Sequence, residues 1–235
     1  MNSFSNRDLI APTKKELWGG LLCWICYQLI FPLTLSMIPF FQEGSIRAGV
    51  LFDITLTVCS FLLILTVFRD YLYRCRIPFG LLLTFSFLGY IASMGLERLW
   101  GLLLSFLTPL LPSDATNMNQ DIINSYMQSY STLMILNVSL LTPFVEEILF
   151  RTVIFAPLCK RSPFLGYSVS MIAFAALHVV GFIGQQAGIS LLFSFLQYLP
   201  AGFVLCWSYQ ASRSIWPPIV IHGIINLVAS FYILA

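Results

Sequence analysis

Charged residues are scarce in this chain: Lys, Arg, Asp and Glu together make up 9% of its 235 residues. A soluble domain carries about 25% charged residues, so this chain has too few to cover a surface that faces water. Hydrophobic residues account for 58%, and the mean hydropathy is +0.86. The composition therefore predicts an integral membrane protein, and the length suits one membrane domain over residues 1–235.

Several familiar signals are also missing. The net charge of +2 is small and no basic run is present, so nucleic acid is not expected as a partner. The apolar runs are continuous and do not alternate, which predicts helices and not barrel strands. The sequence has no His-Glu-x-x-His, no Gly-x-Ser-x-Gly and no Gly-rich phosphate loop. The common zinc-protease, serine-hydrolase and nucleotide sites are therefore not predicted.

Seven stretches approach the roughly 20 apolar residues that a membrane-spanning helix needs. Residues 98–111 are too short to span alone, and could extend the third span, lie in the interface or re-enter. Residues 113–130 then form a polar loop. The predicted fold class is an all-α polytopic membrane protein, a bundle of about seven transmembrane helices, or eight if residues 98–111 also cross. The predicted spans are residues 17–37, 48–68, 78–96, 132–158, 164–183, 188–209 and 215–233.

Basic residues predict the orientation, because cytoplasmic loops carry an excess of Lys and Arg. Nine of them fall in the N-terminal tail and in every second connection. We therefore expect the polar tail of residues 1–16 in the cytoplasm, the C-terminus outside, and the protein in the plasma membrane in contact with lipid. The nine residues are Arg7, Lys14, Lys15, Arg69, Arg74, Arg76, Lys160, Arg161 and Arg213.

Three ionisable residues fall within six positions of the fourth predicted span: Glu146, Glu147 and Arg151. A charge at the centre of a membrane helix costs about 2.5–3.5 kcal/mol on insertion scales. Glu147 and Arg151 are four residues apart, so they share a face and can form an ion pair. Glu146 points about 100° away, which leaves it without that partner. Pro143 frees the carbonyl of Ser139 and is expected to bend the helix just before the acids.

The only two histidines lie in late spans: His178 follows Phe174 by four residues, and His222 precedes Asn226 by four. A lone membrane histidine often serves only as a hydrogen bonder between helices. Two histidines together with an amide and a pair of acids favour a functional site over a purely structural role. A buried Glu can act as general base towards water, and His and Asn can donate to an oxyanion, which suffices to hydrolyse an amide.

A metal site is the alternative arrangement of these residues. His178, His222 and Glu146 could hold a divalent ion such as zinc with an open position. An Asn is a poor ligand for a transition metal, which favours metal-free catalysis.

The ordered motifs Glu146-Glu147-x-x-x-Arg151, Phe174-x-x-x-His178 and His222-x-x-x-Asn226 resemble those of the CPBP family. This family comprises the CAAX proteases and bacteriocin-processing enzymes of the Abi group, related to the type II CAAX prenyl endopeptidase. The resemblance covers about residues 140–230, inside predicted core helices at 132–233.

The resemblance implies an intramembrane endopeptidase that cleaves a peptide or membrane-protein substrate, and we expect cleavage near the cytoplasmic face. It implies that Glu146, helped by His178, activates water. His222 and Asn226 would stabilise the oxyanion. Glu147, Arg151 and Phe174 would support the site. The family has been described both as metalloproteases and as glutamate-dependent enzymes without metal.

Two other functions are compatible with the sequence. Intramembrane Glu and His residues also relay protons, so a proton-coupled transporter is one, although the chain lacks the paired broken helices of two corresponding halves. The other is a non-catalytic membrane adaptor, because relatives of this family are associated with self-immunity to bacteriocins.

Overall fold

The computed structural model describes residues 9–112 and 115–235, and these fold almost entirely into helices. This confirms the predicted all-α bundle. Residues 1–8 of the predicted cytoplasmic tail, and residues 113–114 of the predicted polar loop, lie outside the described residues. Eight principal helices occur in the described part of the chain: α1 (Lys14–Ser36), α2 (Ile46–Arg74), α3 (Phe79–Ser105), α4 (Met118–Ser129), α5 (Ser131–Cys159), α6 (Pro163–Leu177), α7 (Gly188–Ser212) and α8 (Trp216–Leu234).

Six of these helices are long and apolar enough to cross a membrane, and they are α1, α2, α3, α5, α7 and α8. The predicted fifth span, residues 164–183, is shorter than expected because α6 ends at Leu177. The next residues remain apolar but leave the helix, and Gly184 adopts a φ of +82°, a conformation that glycine tolerates without strain. Hydropathy alone could not detect this end.

The uncertain segment at residues 98–111 mostly extends the third span, since α3 continues to Ser105. The predicted polar loop contains a helix instead, α4. Asn117 caps its beginning by accepting a hydrogen bond from the backbone N–H of Gln120 at 3.2 Å. Met127 anchors it to the bundle and is fully buried in a cluster that contains Val50 of α2. Because most residues of α4 are polar, hydropathy did not reveal the apolar face through which this helix contacts the bundle.

The fourth predicted span, α5, is the central helix of the bundle. In its apolar window 67% of the residues are buried, against 17–39% in the other five long helices. It contacts α1, α2, α6, α7 and α8. The helix that carries Glu146, Glu147 and Arg151 is therefore surrounded by protein over most of its length, and its charges do not face lipid.

Two wide π-helical turns interrupt α5, at Asn137–Leu141 and Ile148–Phe155. Turns of this kind inside α-helices are frequent at functional sites. Here they flank the short segment Thr142–Glu147 that contains both glutamates. The wide turns rotate side chains relative to a regular helix, so spacing alone does not relate the faces of residues that lie on opposite sides of a wide turn.

The first wide turn lies just before Pro143, whose missing N–H leaves the carbonyl of Ser139 without its usual helical donor. That carbonyl oxygen faces α8 at Gly223, where a Cβ atom would lie only 2.5 Å from it. One turn further along α8, Nδ2 of Asn226 donates a hydrogen bond to the carbonyl of Val138 at 2.7 Å. Helix α8 thus docks on two backbone carbonyls of α5 beside the proline.

Candidate active site

The ion pair predicted from the spacing of Glu147 and Arg151 is present, and both side chains are fully buried. Nε of Arg151 donates to Oε2 of Glu147 at 2.8 Å. Its Nη1 donates to Oγ of Ser170 in α6 at 2.9 Å, and that hydroxyl donates to the carbonyl of Phe150 at 3.1 Å. The guanidinium is therefore neutralised and also links α5 to α6.

The carboxylate of Glu147 has a second partner that spacing did not predict. Its Oε1 accepts a hydrogen bond from Nδ1 of His222 at 3.0 Å. Because an ionised carboxylate only accepts, the His222 proton lies on Nδ1, and Nε2 points elsewhere. Seventy-five residues separate the two side chains, and the sequence contains no signal for a contact at that distance along the chain.

Glu146 is the acid without a local partner, as the sequence predicted. It is 4% exposed, and its Oε2 has no hydrogen-bond partner among the described residues. The nearest basic atom is Nε2 of His222 at 4.0 Å, which is too far for a direct hydrogen bond. A buried carboxyl oxygen of this kind is costly to leave without a hydrogen-bond donor.

His178 lies at the end of α6 with its ring orientation fixed from two sides. Its Nδ1 donates to the carbonyl of Phe174 at 2.8 Å, which leaves Nε2 of the neutral ring as an acceptor. The ring stacks on Tyr198 of α7, with centroids 4.2 Å apart and an interplanar angle of 24°. The Tyr198 hydroxyl accepts a hydrogen bond from Asn119 of α4 at 3.1 Å. Tyr198 was missed, although a tyrosine within an apolar span was a usable signal.

The ring of Phe174 lies between the histidines. Its centroid is 4.8 Å from the ring of His178 and 5.7 Å from that of His222. The guanidinium carbon of Arg151 lies 4.9 Å from the same centroid. Phe174 therefore contacts three of the predicted site residues and fills the space that separates them.

One cavity of about 470 Å³ contains side chains from all three motifs, and Glu146, His178, His222 and Asn226 line it together. Helix α4 contributes to the wall with Asn119, Gln120 and Tyr126 among others. Glu146 faces the cavity and not lipid. The sequence motifs thus converge in space.

The cavity lies in the half of the bundle away from the basic loops. Its lining includes Asp53, near the beginning of α2, whereas Arg69 and Arg74 lie at the other end of that helix. Ser230, near the end of α8, also lines it, whereas Arg213 precedes the beginning of α8. The expectation of a site near the cytoplasmic face therefore disagrees with the orientation that the basic loops predict.

The side chains proposed as metal ligands are not arranged as a ligand set. No group of three or more His, Cys, Asp or Glu residues within 9–112 and 115–235 is placed to hold a metal ion. Nδ1 of His222 and Nδ1 of His178 are engaged by Glu147 and by a backbone carbonyl, which leaves Nε2 of each ring as the atom that could ligate a metal. Because these atoms do not form a group of three ligands with Glu146, no step below depends on a metal.

Residues 128–228 match the family model described as Rce1-like, type II CAAX prenyl endopeptidase Rce1-like. The matched segment contains α5, α6 and α7, most of α8, and every site residue named from the motifs. The match confirms the resemblance inferred from the three motifs. No curated protein and no solved structure matches the chain.

Proposed function

Through residues 128–228 the chain belongs to the Rce1-like family of type II CAAX prenyl endopeptidases, and on this premise we propose that it is an intramembrane endopeptidase that uses water directly. The observation that carries this proposal is the unpartnered Oε2 of Glu146, buried beside His222 at a cavity inside the bundle. A carboxylate can take a proton from a water molecule within hydrogen-bond reach, so this oxygen can act as a general base.

Glu146 and His222 are spaced for one water molecule between them. A water that makes two hydrogen bonds of about 2.8 Å holds its partners roughly 4–5 Å apart. The 4.0 Å from Oε2 of Glu146 to Nε2 of His222 lies in that range. In our proposal Glu146 takes a proton from this water while its oxygen attacks the peptide carbonyl carbon.

The oxyanion that forms needs hydrogen-bond donors, and Asn226 and His222 can supply them. Asn226 donates one amide hydrogen to the carbonyl of Val138, which fixes its side chain and leaves a second hydrogen for the substrate. Nε2 of His222 is the second donor when the ring enters the reaction as an imidazolium, which the Glu147 carboxylate at Nδ1 stabilises. The ring keeps both protons throughout, so only Glu146 exchanges a proton with the water and the leaving amine. Glu146 then returns its proton to the leaving amine, and the C–N bond breaks.

Glu147, Arg151 and Phe174 have supporting roles in this proposal. Arg151 keeps Glu147 ionised, so that Glu147 can hold His222 in one tautomer and one orientation. His178 lies on the other side of Phe174, with Nε2 free to accept a proton or a hydrogen bond from water or substrate. The geometry places His222 within 4.0 Å of Glu146, so we assign His222 a larger share in water activation than the motifs implied.

The test is cleavage by the purified protein in liposomes. Peptides that contain an apolar membrane segment are incubated with the wild-type protein and with Glu146→Gln, and new termini are detected by mass spectrometry. Cleavage by the wild-type protein alone supports the proposal. Cleavage by neither protein, with proton uptake that requires both His178 and His222, would replace the peptidase with a proton-coupled transporter.

A further inference from the structure

The cavity has a strong excess of negative groups. Asp53 and Glu97 line it in addition to Glu146, and no Lys or Arg is among the lining residues. Four aromatic rings also contribute to its wall: Tyr27, Tyr126, Phe174 and Tyr198. Carboxylates and aromatic faces together are the chemistry that binds an ammonium or guanidinium group.

From this lining we propose that the cavity binds a cationic group of the substrate, a lysine or arginine side chain close to the scissile bond, through Asp53 and Glu97. The inference rests on the proposed peptidase function and names the class of peptide that the site takes. The buried, unpartnered oxygen of Glu146 faces the same cavity, so the bound cation would lie beside the group that activates water.

Asp53 is held in place for such a contact. Its Oδ2 accepts a hydrogen bond from Nδ2 of Asn137 at 3.1 Å, which links α2 to the first wide turn of α5. One turn earlier on the same face of α2, Gly49 has no side chain, and a Cβ atom there would overlap the hydroxyl of Tyr126. Gly49 thus allows the Tyr126 phenol to lie on α2 beside Asp53, so that a carboxylate and an aromatic ring line the cavity together.

Glu97 belongs to a different wall. Helix α3 packs against α7 and α8, whereas α2 packs against α1, α4 and α5. Oε1 of Glu97 accepts a hydrogen bond from Oγ of Ser93 at 2.5 Å. Nε1 of Trp100, on the next turn, donates to the carbonyl of Leu196 at 2.8 Å and fixes α3 beside Tyr198. A cation in the cavity is therefore flanked by acids from two walls.

The charges around the cavity explain the preference for a cation. Arg151 is engaged by Glu147 and does not line the cavity, so it does not neutralise Asp53 or Glu97 directly. Opposite charges attract more strongly inside a protein than in water, and an isolated buried carboxylate is expensive. A substrate cation supplies the missing counter-charge, whereas an acidic side chain at the same place is repelled.

The inference is tested with matched peptides of one membrane-segment sequence, each with lysine, norleucine or glutamate at one scanned position near the cleavage site. We expect lysine to raise kcat/KM about tenfold over norleucine at the best position, and glutamate to lower it. Asp53→Asn and Glu97→Gln should each reduce the lysine-to-norleucine ratio. Asp70→Asn, an exposed acid near the other end of α2, is the control and should keep the ratio.

A binding measurement separates this inference from the peptidase proposal. Fluorescence quenching reports how tightly Glu146→Gln holds the lysine and norleucine peptides without turnover. Preferential binding of the lysine peptide without cleavage by any protein would sustain the cation site and overturn the peptidase. Cleavage with equal rates for lysine and norleucine, unaltered in Asp53→Asn and Glu97→Gln, would overturn the cation site alone.

Discussion

Oε1 of Glu147 accepts a hydrogen bond from Nδ1 of His222 at 3.0 Å, while Oε2 of the same carboxylate accepts from Arg151 at 2.8 Å. One side chain thus orients a histidine on α8 and neutralises an arginine on its own helix. The neighbouring Glu146 has neither contact and faces the cavity. Two adjacent acids in one helix therefore differ in kind: Glu147 is bound by two neighbouring side chains, and Glu146 lines the cavity.

Glu147→Gln should be strongly destabilising. Removing one charge from a buried pair leaves Arg151 uncompensated, which typically costs about 3–5 kcal/mol. The melting temperature in detergent micelles should fall clearly, whereas Glu43→Gln, at an exposed acid, should leave it unchanged. An unaltered melting temperature in Glu147→Gln would contradict the structural role assigned to this pair.

The local parts of this site were predictable from the sequence, and the long-range parts were not. The Glu147–Arg151 pair follows from a spacing of four residues, and the isolation of Glu146 follows from the angle between adjacent positions. The Glu147–His222 bond joins residues on different helices and depends on how α8 packs. The stacking of Tyr198 on His178 depends in the same way on how α7 packs against the end of α6.

The fold was predictable where hydropathy was decisive. The boundaries of α1, α2, α5 and α8 lie within a few residues of the apolar runs, apart from the end of α2. The end of α6 and the presence of α4 were not predictable in this way. Residues 179–183 are apolar but form only a short 3-10 turn at Val180–Phe182, and α4 is polar apart from the few residues that it buries.

Gly223→Ala tests the docking of α8 on the carbonyl of Ser139. A Cβ atom would lie 2.5 Å from that backbone oxygen, so one of the two helices must shift. Forced repacking of this kind costs about 1–3 kcal/mol, and it would displace His222 and Asn226 from the cavity. We expect a lower melting temperature and a lower cleavage rate.

Gly95→Ala is the matched control for that substitution. Gly95 lies on α3, and nothing lies within 4 Å of the position that its Cβ would occupy. It should keep both the melting temperature and the cleavage rate. Equal behaviour of the two variants would show that the approach of α8 to Ser139 is not as close as described.

Tyr198 variants test whether the stacked ring positions His178. Tyr198→Phe keeps the stacking and loses only the hydroxyl's hydrogen bonds with Asn117 and Asn119, so kcat should fall by less than about threefold, the equivalent of a weak hydrogen bond. Tyr198→Leu removes the stacked ring and should lower kcat further with little change in KM. A loss of kcat in Tyr198→Phe as large as in Tyr198→Leu would assign the role to the hydroxyl and not to the ring.

Chelation tests the expectation of metal-free catalysis. The part of the chain that the structure describes contains no ready group of three ligands. Prolonged dialysis of the wild-type protein against 1,10-phenanthroline should therefore leave the cleavage rate unchanged. Activity that is lost on dialysis and restored by Zn²⁺ would require His178, His222 and Glu146 to rearrange into a metal site.

The most direct test of the central claim is to measure cleavage and thermal stability on the same preparation of Glu146→Gln. The amide has the shape of the acid but cannot accept the proton, so the cleavage rate should fall by about 10²- to 10⁴-fold. The melting temperature should match or exceed that of the wild-type protein, because a neutral amide costs less to bury than an ionised carboxylate. Retention of wild-type cleavage by a folded Glu146→Gln would contradict the assignment of Glu146 as the base.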